Sequence, residues 1–341
     1  MSIEDLSTIA ERYRRFADEE AAGRSPLYET LARGIAGDEA VLRFVLSLPE
    51  AKRQPNLLLA AVRHLFGPPE TMAALRTILL ENAEAVRSVM LFRATQTNEP
   101  GRCAALLPIF ARLPEPLALI EIGAAAGLCL LPDRYGYDYG AVTLRPEADY
   151  GAYPIFPCQL GETVPIPGSL PQIVWRAGLD LHPLDPSDPA DAEWLETLVW
   201  PGQEARLARI RVALAVAASA RPRIVAGDLL GDALPALVCE VPCGATTVVF
   251  HNATLAYVAG PDARRAFAER VASLCSTWIS YEAPGVFPEI ACTAPRPPKP
   301  GAFLLSLNGD PVAWADPHGA SLDWIEGDDA MHEGRGWRRP G

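Results

Sequence analysis

The chain has 341 residues, of which 49% are hydrophobic, and a formal net charge of −12. This apolar content is enough to build a full core, so a wholly disordered chain is excluded. The acidic balance argues against nucleic acid as the main partner, because phosphate binding requires a basic surface. We expect a cytoplasmic protein without a membrane partner. No apolar run reaches the ~20 residues of a spanning helix, and the N-terminal segment is charged where a signal peptide is apolar.

Seven cysteines are scattered along the chain, an odd number without the spacing of a disulfide framework or a zinc site. We expect them to be free thiols, and we predict no metal. The sequence contains neither H-E-x-x-H nor G-x-S-x-G, which disfavours zinc and serine hydrolases.

Residues 1–115 are predicted to form a helical N-terminal domain, because apolar residues recur there at helical spacing. Ser25 followed by Pro26 is typical of a helix N-cap and first turn. Asp38 is a second candidate N-cap. The pattern over 70–92 predicts a further helical stretch.

Strand-like segments alternate with helical ones over 116–326, which predicts an α/β domain with a mostly parallel sheet. The strand-like segments are Leu117–Ile122, Gln172–Trp175, Arg223–Ala226, Thr246–Phe250, Trp278–Tyr281 and Phe303–Leu307. The helical segments are 193–220 and 262–275. Asn308 and Gly309 predict an antiparallel hairpin near the end of the domain. Residues 141–171, rich in Pro and Gly, are predicted to be an inserted loop, and residues 327–341 a polar tail.

The segment LALIEIGAAAGL, residues 117–128, contains the strongest functional signal. A strand that includes Glu121 is followed by Gly123, Ala125 and Gly127, and then by an apolar helical start. Small residues at the end of a parallel strand let a ligand approach the backbone, and a following helix supplies free N–H groups. A dinucleotide fingerprint requires glycine at the first, third and sixth positions, and here it stands at the first and fifth. The alternative is that small residues only let a helix pack closely on the strand.

Glu121, two residues before the first glycine, fits E-x-G-x-G-x-G with Ala125 as the departure. This is the first motif of class I S-adenosylmethionine (SAM)-dependent methyltransferases, which the segment resembles. The resemblance implies a Rossmann-like sheet, an antiparallel C-terminal hairpin and SAM as cofactor. It implies Asp180 as the acid that binds the ribose hydroxyls and Asp228 as the contact to the adenine amino group. Asp185 competes with Asp180 for the ribose role.

A narrower resemblance covers nearly the whole chain. Its segments are TQTNEPGR (95–102), DRYGYDYG (133–140), PLDPSDPADAEWLETLVWPGQEAR (183–206) and FHNATLAY (250–257). Together with the glycine-rich segment, they resemble an uncharacterised bacterial family named only as a domain of unknown function.

Four residues are candidates for catalysis. His251 and Asn252 follow the fourth strand, where open α/β sheets bind ligands. His251 would act as a general base and Asn252 would orient an acceptor; alternatively, both only satisfy loop backbone groups. Arg134 would hold an anionic substrate group or, alternatively, form a surface pair with Asp133. Tyr257 either faces the site or merely packs.

Several other polar and aromatic groups have competing interpretations. The polar cluster at 96–102 either reaches over a cofactor cleft or only forms a turn. Trp200 either stacks on adenine or anchors a core. Glu282 and His318 are single candidates to which no specific role is attached.

These patterns support three functional hypotheses. The first is methyl transfer from SAM to a small molecule, with the helical domain shielding the site from water. The second is a Rossmann-like domain that has lost catalysis and serves as a binding or scaffold protein, which Ala125 favours. The third is an NAD(P)-dependent oxidoreductase, which the glycine spacing disfavours.

Overall fold

The computed structural model describes residues 5–96, 98–147, 151–258, 260–275 and 277–325. Within these ranges the protein is a mixed α/β structure with twelve α-helices and a large, mostly parallel sheet. Contacts divide the chain into two compact units. The first is Met1–Thr97 with Pro189–Ala208, and the second is Asn98–Asp188 with Arg209–Gly341. The predicted tail, 327–341, lies outside the described residues.

The α-helices are α1 (Leu6–Arg15), α2 (Pro26–Ile35), α3 (Glu39–Leu46), α4 (Pro55–Phe66), α5 (Met72–Glu81), α6 (Ala83–Phe92), α7 (Arg102–Phe110), α8 (Pro189–Thr197), α9 (Glu204–Ala220), α10 (Ala233–Cys239), α11 (Pro261–Leu274) and α12 (Pro288–Ala291). The strands are β1 (Leu117–Ile122), β2 (Gly136–Asp138), β3 (Thr143–Leu144), β4 (Ile155–Pro157), β5 (Gln159–Leu160), β6 (Ile173–Asp180), β7 (Arg223–Ala226), β8 (Thr246–Asn252), β9 (Thr277–Glu282), β10 (Phe303–Leu307), β11 (Asp310–Ala315) and β12 (Ser321–Trp324). In the part of the chain that is described, each helix is too short or too polar to cross a membrane.

The first unit is helical where it is described, and its predicted helix starts are confirmed. Asp38 caps α3 by accepting from the backbone N–H groups of its first turn. Ser25 occupies the N-cap of α2 with Pro26 as the first helical residue, but its hydroxyl donates to the Pro201 carbonyl instead of capping the helix. The stretch predicted over 70–92 is two helices, because the Asn82 amide hydrogen-bonds a terminal carbonyl of α5 and ends that helix.

Two tryptophans from α8 and the segment after it complete the core of this unit. The Trp194 ring is fully buried, and its Nε1 donates to the Ala94 carbonyl at 2.9 Å. The Trp200 ring packs on Phe16 and Tyr28, with ring centroids 5.4 and 5.9 Å away. Trp200 is therefore a core contact of the helical unit. This unit differs from the predicted domain 1–115, because it includes α8 and because α7 belongs to the second unit.

The second unit is built on a nine-stranded sheet with the order β5-β12-β11-β10-β9-β8-β1-β6-β7. Five neighbouring strands are parallel to one another: β7, β6, β1, β8 and β9. Strands β10 and β11 are antiparallel to both of their neighbours, and β12 is antiparallel to β11 but parallel to β5. The predicted hairpin is confirmed: β10 pairs with β11, and both Asn308 and Gly309 have positive φ, as such turns require. The segment predicted as an inserted loop, 141–171, contains short strands. β3 and β4 flank β2 in a three-stranded sheet, and β5 extends the edge of the large one.

The central parallel strands are buried on both faces, as expected for strands covered on both sides. The strand order reverses at β1, which lies between β6 and β8. Because neighbouring side chains alternate between faces, the register places Glu121 and Asn252 on one face of the sheet. It places His251 and Glu282 on the opposite face. Two buried polar pairs thus lie back to back at the carboxyl edge of the sheet.

Candidate functional site

The glycine loop, defined as residues 123–127, joins β1 to the rest of the second unit. Gly123, Ala125 and Gly127 all have positive φ, of 73°, 49° and 74°. A Cβ atom at Gly123 would overlap the side chain of Thr254, which lies on the loop after β8. At Gly127 a Cβ would overlap Pro222 at 2.8 Å. The two glycines therefore allow protein side chains to pack closely on the loop, and Ala125 adopts a conformation that favours glycine.

The loop does not lead into an α-helix, so that prediction is wrong. Residues Leu128–Leu130 and Pro132–Arg134 form two short 3₁₀ turns. Pro132 explains the difference, because proline lacks an N–H and breaks the interior of an α-helix. The N–H groups of the loop and of the residue after it instead donate hydrogen bonds to other protein groups. The donor–acceptor pairs are Gly123 to Leu179, Ala125 to Asp180, Gly127 to Ala124 and Leu128 to Asn98, at 2.7, 2.8, 2.6 and 3.0 Å.

Asp180 lies at the end of β6, beside β1, and contacts the glycine loop. Its Oδ2 accepts from the Ala125 N–H and its Oδ1 from the His182 N–H, each at 2.8 Å. Asp185 accepts instead from the Ser187 N–H. Asp180, one of the two acids that competed for the ribose role, therefore hydrogen-bonds the loop.

Asp228 follows β7, two strands from β1 in the sheet. It is exposed, and its Oδ1 accepts from the Leu230 N–H at 2.7 Å. This bond closes a turn at the carboxyl end of β7, so the carboxylate lies at the same sheet edge as the glycine loop.

Asn98 fastens the glycine loop from the chain segment before α7. Its Nδ2 donates to the Ala124 carbonyl at 3.1 Å, and its Oδ1 accepts from the Leu128 N–H at 3.0 Å. Both ends of this buried amide are therefore used on the backbone of the loop and its continuation. The sequence identified the polar cluster 96–102 but did not show that Asn98 holds the loop.

Glu121 and Asn252 form the buried pair on the first face of the sheet. Asn252 Nδ2 donates to Glu121 Oε1 at 2.9 Å, and Arg102 donates to the Asn252 carbonyl at 3.0 Å. Burial raises the pKa of Glu121 well above its usual range, and the nearby Cys129 thiol adds to this effect. Among the described residues, Glu121 Oε2 and Asn252 Oδ1 have no hydrogen-bond partner.

His251 and Glu282 form the buried pair on the opposite face. His251 Nδ1 lies 2.7 Å from Glu282 Oε1, which also accepts from the N–H groups of Thr254 and Leu255. Glu282 therefore holds both the histidine and the loop after β8. Aromatic rings enclose the imidazole: Phe267, Trp278 and Phe287. His251 is fully buried, so the structure places it in the core, and its Nε2 has no partner among the described residues.

The other two candidate catalytic residues lie in short 3₁₀ turns. Arg134 ends the second 3₁₀ turn, where its Nε lies 3.7 Å from the carboxylate of Asp133. Asp133 also binds both terminal nitrogens of Arg176, at 2.6 and 2.8 Å. Tyr257 ends a 3₁₀ turn after β8 and is 65% exposed.

The fold and the site define a mixed α/β protein with a glycine-rich loop and buried polar pairs at the carboxyl edge of a mostly parallel sheet. Residues 10–324 match the family described as an uncharacterized protein conserved in bacteria (DUF2332), and the chain belongs to this family. The match covers parts of both compact units. No curated protein and no solved structure matches the chain.

Proposed function

We propose that the second unit is a Rossmann-like methyltransferase domain that binds SAM beside β1 and β6 and transfers its methyl group to a small molecule. One observation carries this proposal: Asp180, at the end of β6, hydrogen-bonds the glycine loop that follows β1. The loop leaves the sheet where the strand order reverses. Open α/β sheets bind ligands at this position.

The groups at this edge suit the two halves of a nucleoside. An ionised carboxylate is an acceptor with about four lone-pair sites, which suits Asp180 to accept from ribose hydroxyls. Leu181, the next residue, is 62% exposed and offers apolar surface to a flat base. Asp228, at the end of the adjacent β7, would accept from an exocyclic amino group.

Asn252 is the residue that we expect to hydrogen-bond the substrate that accepts the methyl group. Its Nδ2 is fixed by Glu121, and its buried Oδ1 has no partner among the described residues. A buried acceptor without a donor is costly, so a substrate N–H or O–H at this position would be stabilised. The net charge of −12 favours a small molecule over a nucleic acid as this substrate.

Calorimetric titration with SAM and with its demethylated product tests the proposal. We expect both to bind the wild-type chain and to bind Asp180→Asn about tenfold more weakly, because a bond from ribose to a charged acceptor is weakened. Asp185→Asn is the matched control, since Asp185 also accepts from a backbone N–H two residues on. It should bind within about twofold of wild type. The proposal fails if neither compound binds the folded wild-type chain, or if the two variants bind alike.

A second candidate is a Rossmann-like binding or scaffold protein without catalysis. The packing of Thr254 on Gly123 favours it, because a protein side chain fills space that a cofactor would need. Under this alternative, the folded wild-type chain binds neither SAM nor its product.

A dinucleotide is the least favoured ligand. Pyrophosphate binding uses the N-terminus of the helix that follows the loop, and here 3₁₀ turns follow it. Including NAD in the same titrations provides the comparison, and we expect it not to bind.

A further inference from the structure

A second small site lies at the ends of β9 and β10, on the face of the sheet that carries His251. It is a half-open recess of about 10 Å³, room for roughly one water molecule. Ser280, Glu282 and Ser306 supply its polar lining, and Phe287 is among its apolar neighbours. It is separate from the glycine loop and has no role in the methyl transfer proposed above.

The strand register explains why three polar side chains meet here. Ser306 pairs with Ser280, and Glu282 stands two residues further along β9, so all three side chains lie on one face. Each is almost completely buried. Apolar residues complete the recess: Ala283, Pro284, Ile290 and Leu304. Buried polar groups in such surroundings are costly unless something bonds to them.

Glu282 has one satisfied and one unsatisfied oxygen. Its Oε1 lies within hydrogen-bond distance of His251 Nδ1 and accepts from two backbone N–H groups. Its Oε2 is buried and has no partner among the described residues, although Glu282 lines the recess. The two backbone N–H donors on this oxygen match a carboxylate, which accepts hydrogen bonds on both oxygens. The second oxygen then requires a donor, and a cationic donor bonds it most strongly.

We propose that this recess binds the ammonium group of a small primary amine. A primary ammonium has three N–H donors, which match Glu282 Oε2 and the hydroxyls of Ser280 and Ser306. Only its one-atom head fits the enclosed volume, so the carbon chain points to the open side along apolar walls. Phe287 also lines the recess, and aromatic rings attract cations. A water molecule also fits the volume, but it has two O–H donors where the recess has three polar side chains.

Methylammonium chloride is the probe, titrated by calorimetry and by the rise in Tm that native-state binding produces. Methanol tests the same size without charge, tetramethylammonium chloride tests charge without N–H donors, and potassium chloride tests a bare cation at equal ionic strength. We expect methylammonium alone to bind. Equal effects of any other probe would overturn the proposal, as would the absence of any effect.

Ser306→Ala removes one acceptor from the recess and leaves the bonds of Glu282 untouched. We expect it to weaken methylammonium binding about tenfold, the usual effect of losing a bond to a charged group. Ser273→Ala is the control, because Ser273 is an exposed serine on α11 whose hydroxyl bonds the Arg270 carbonyl. It should bind like the wild type. Equal affinities of the two variants, both shown to be folded by circular dichroism, would refute the assignment.

Discussion

Single buried residues at the sheet edge carry polar groups that an apolar core would normally exclude. Glu121 and Glu282 are each 2% exposed, and they lie on opposite faces of the same sheet. Their surroundings differ: among the described residues, Glu282 Oε1 has three hydrogen-bond contacts, whereas Glu121 has one bond from Asn252. Glu121 is costly to hold in the ionised form, since burial raises its pKa well above the usual range.

Glu121→Gln tests this cost through the pH dependence of stability. Because burial raises the folded-state pKa of Glu121, its contribution is most favourable below the unfolded-state pKa of about 4.3 and is lost as pH rises towards the folded-state value. Glutamine keeps the acceptor for Asn252 but does not ionise. In urea unfolding, the free energy of unfolding of the variant should increase relative to that of the wild type as the pH rises. The difference should reach about 1 kcal/mol or more near pH 7.

The exposed Glu81→Gln is the control for this series, and its difference from wild type should change little with pH. A Glu121→Gln variant that differs from wild type by the same amount at every pH would contradict the assignment of a raised pKa.

Among the elements, the glycine loop and the loop after β8 depend on each other. Thr254 packs on Gly123, its hydroxyl donates to the Ile122 carbonyl, and its N–H is held by Glu282. The carboxyl ends of β1, β8 and β9 are thus joined through one threonine. A substitution at Gly123 should therefore also alter the packing of the loop after β8.

Gly123→Ala should destabilise the protein by about 2–5 kcal/mol, since it adds both left-handed strain and overlap with Thr254. Gly140→Ala is the matched control: Gly140 has a similar φ of 79° and nothing near its missing Cβ, so it should lose about 1 kcal/mol. Urea unfolding of both variants measures the difference.

Adding Thr254→Ala to Gly123→Ala should recover part of the loss, which a double-mutant cycle would report as coupling. If the Gly123 and Gly140 variants lose equal stability, the close packing of Thr254 does not constrain the loop.

On the scale of the whole molecule, the helical unit is discontinuous in sequence. Residues from α1 to α6 need α8 and Trp200 for part of their core, and Trp194 is fully buried among them. Arg93 also pairs with Asp191 of α8 at 2.5 Å. A boundary drawn from composition alone at residue 115 omits these contacts.

Residues 1–97 expressed alone should therefore lack a cooperative unfolding transition. The same residues joined by a flexible linker to 189–208 should regain one, because Trp194 restores burial that is typically worth about 3–5 kcal/mol. Thermal unfolding followed by circular dichroism compares the two chains. Trp194→Ala in the linked chain serves as the control and should abolish the gain. Cooperative folding of 1–97 by itself would show that the later segment is dispensable.

Local patterns were reliable where the chemistry is local. Asp38 caps its helix, Asn308 and Gly309 form the hairpin, and β1 begins and ends where its apolar run does. Patterns failed where distant residues decide. The helical start after Gly127 became 3₁₀ turns, and Glu282 had no visible role because its partners come from β8 and the loop after it.

The sequence by itself determined the alternation of strands and helices, the helical N-terminal region and the position of the glycine loop. These follow from apolar periodicity and from the conformations of Gly, Pro, Asn and Asp, which act over a few residues. Only the tertiary structure decided that Asp180 contacts the loop and that Thr254 occupies the space at Gly123. It also decided that the two buried acids, Glu121 and Glu282, pair with Asn252 and His251 of the neighbouring strand β8. Strand order and register bring these groups together, and both depend on packing between segments far apart in the chain.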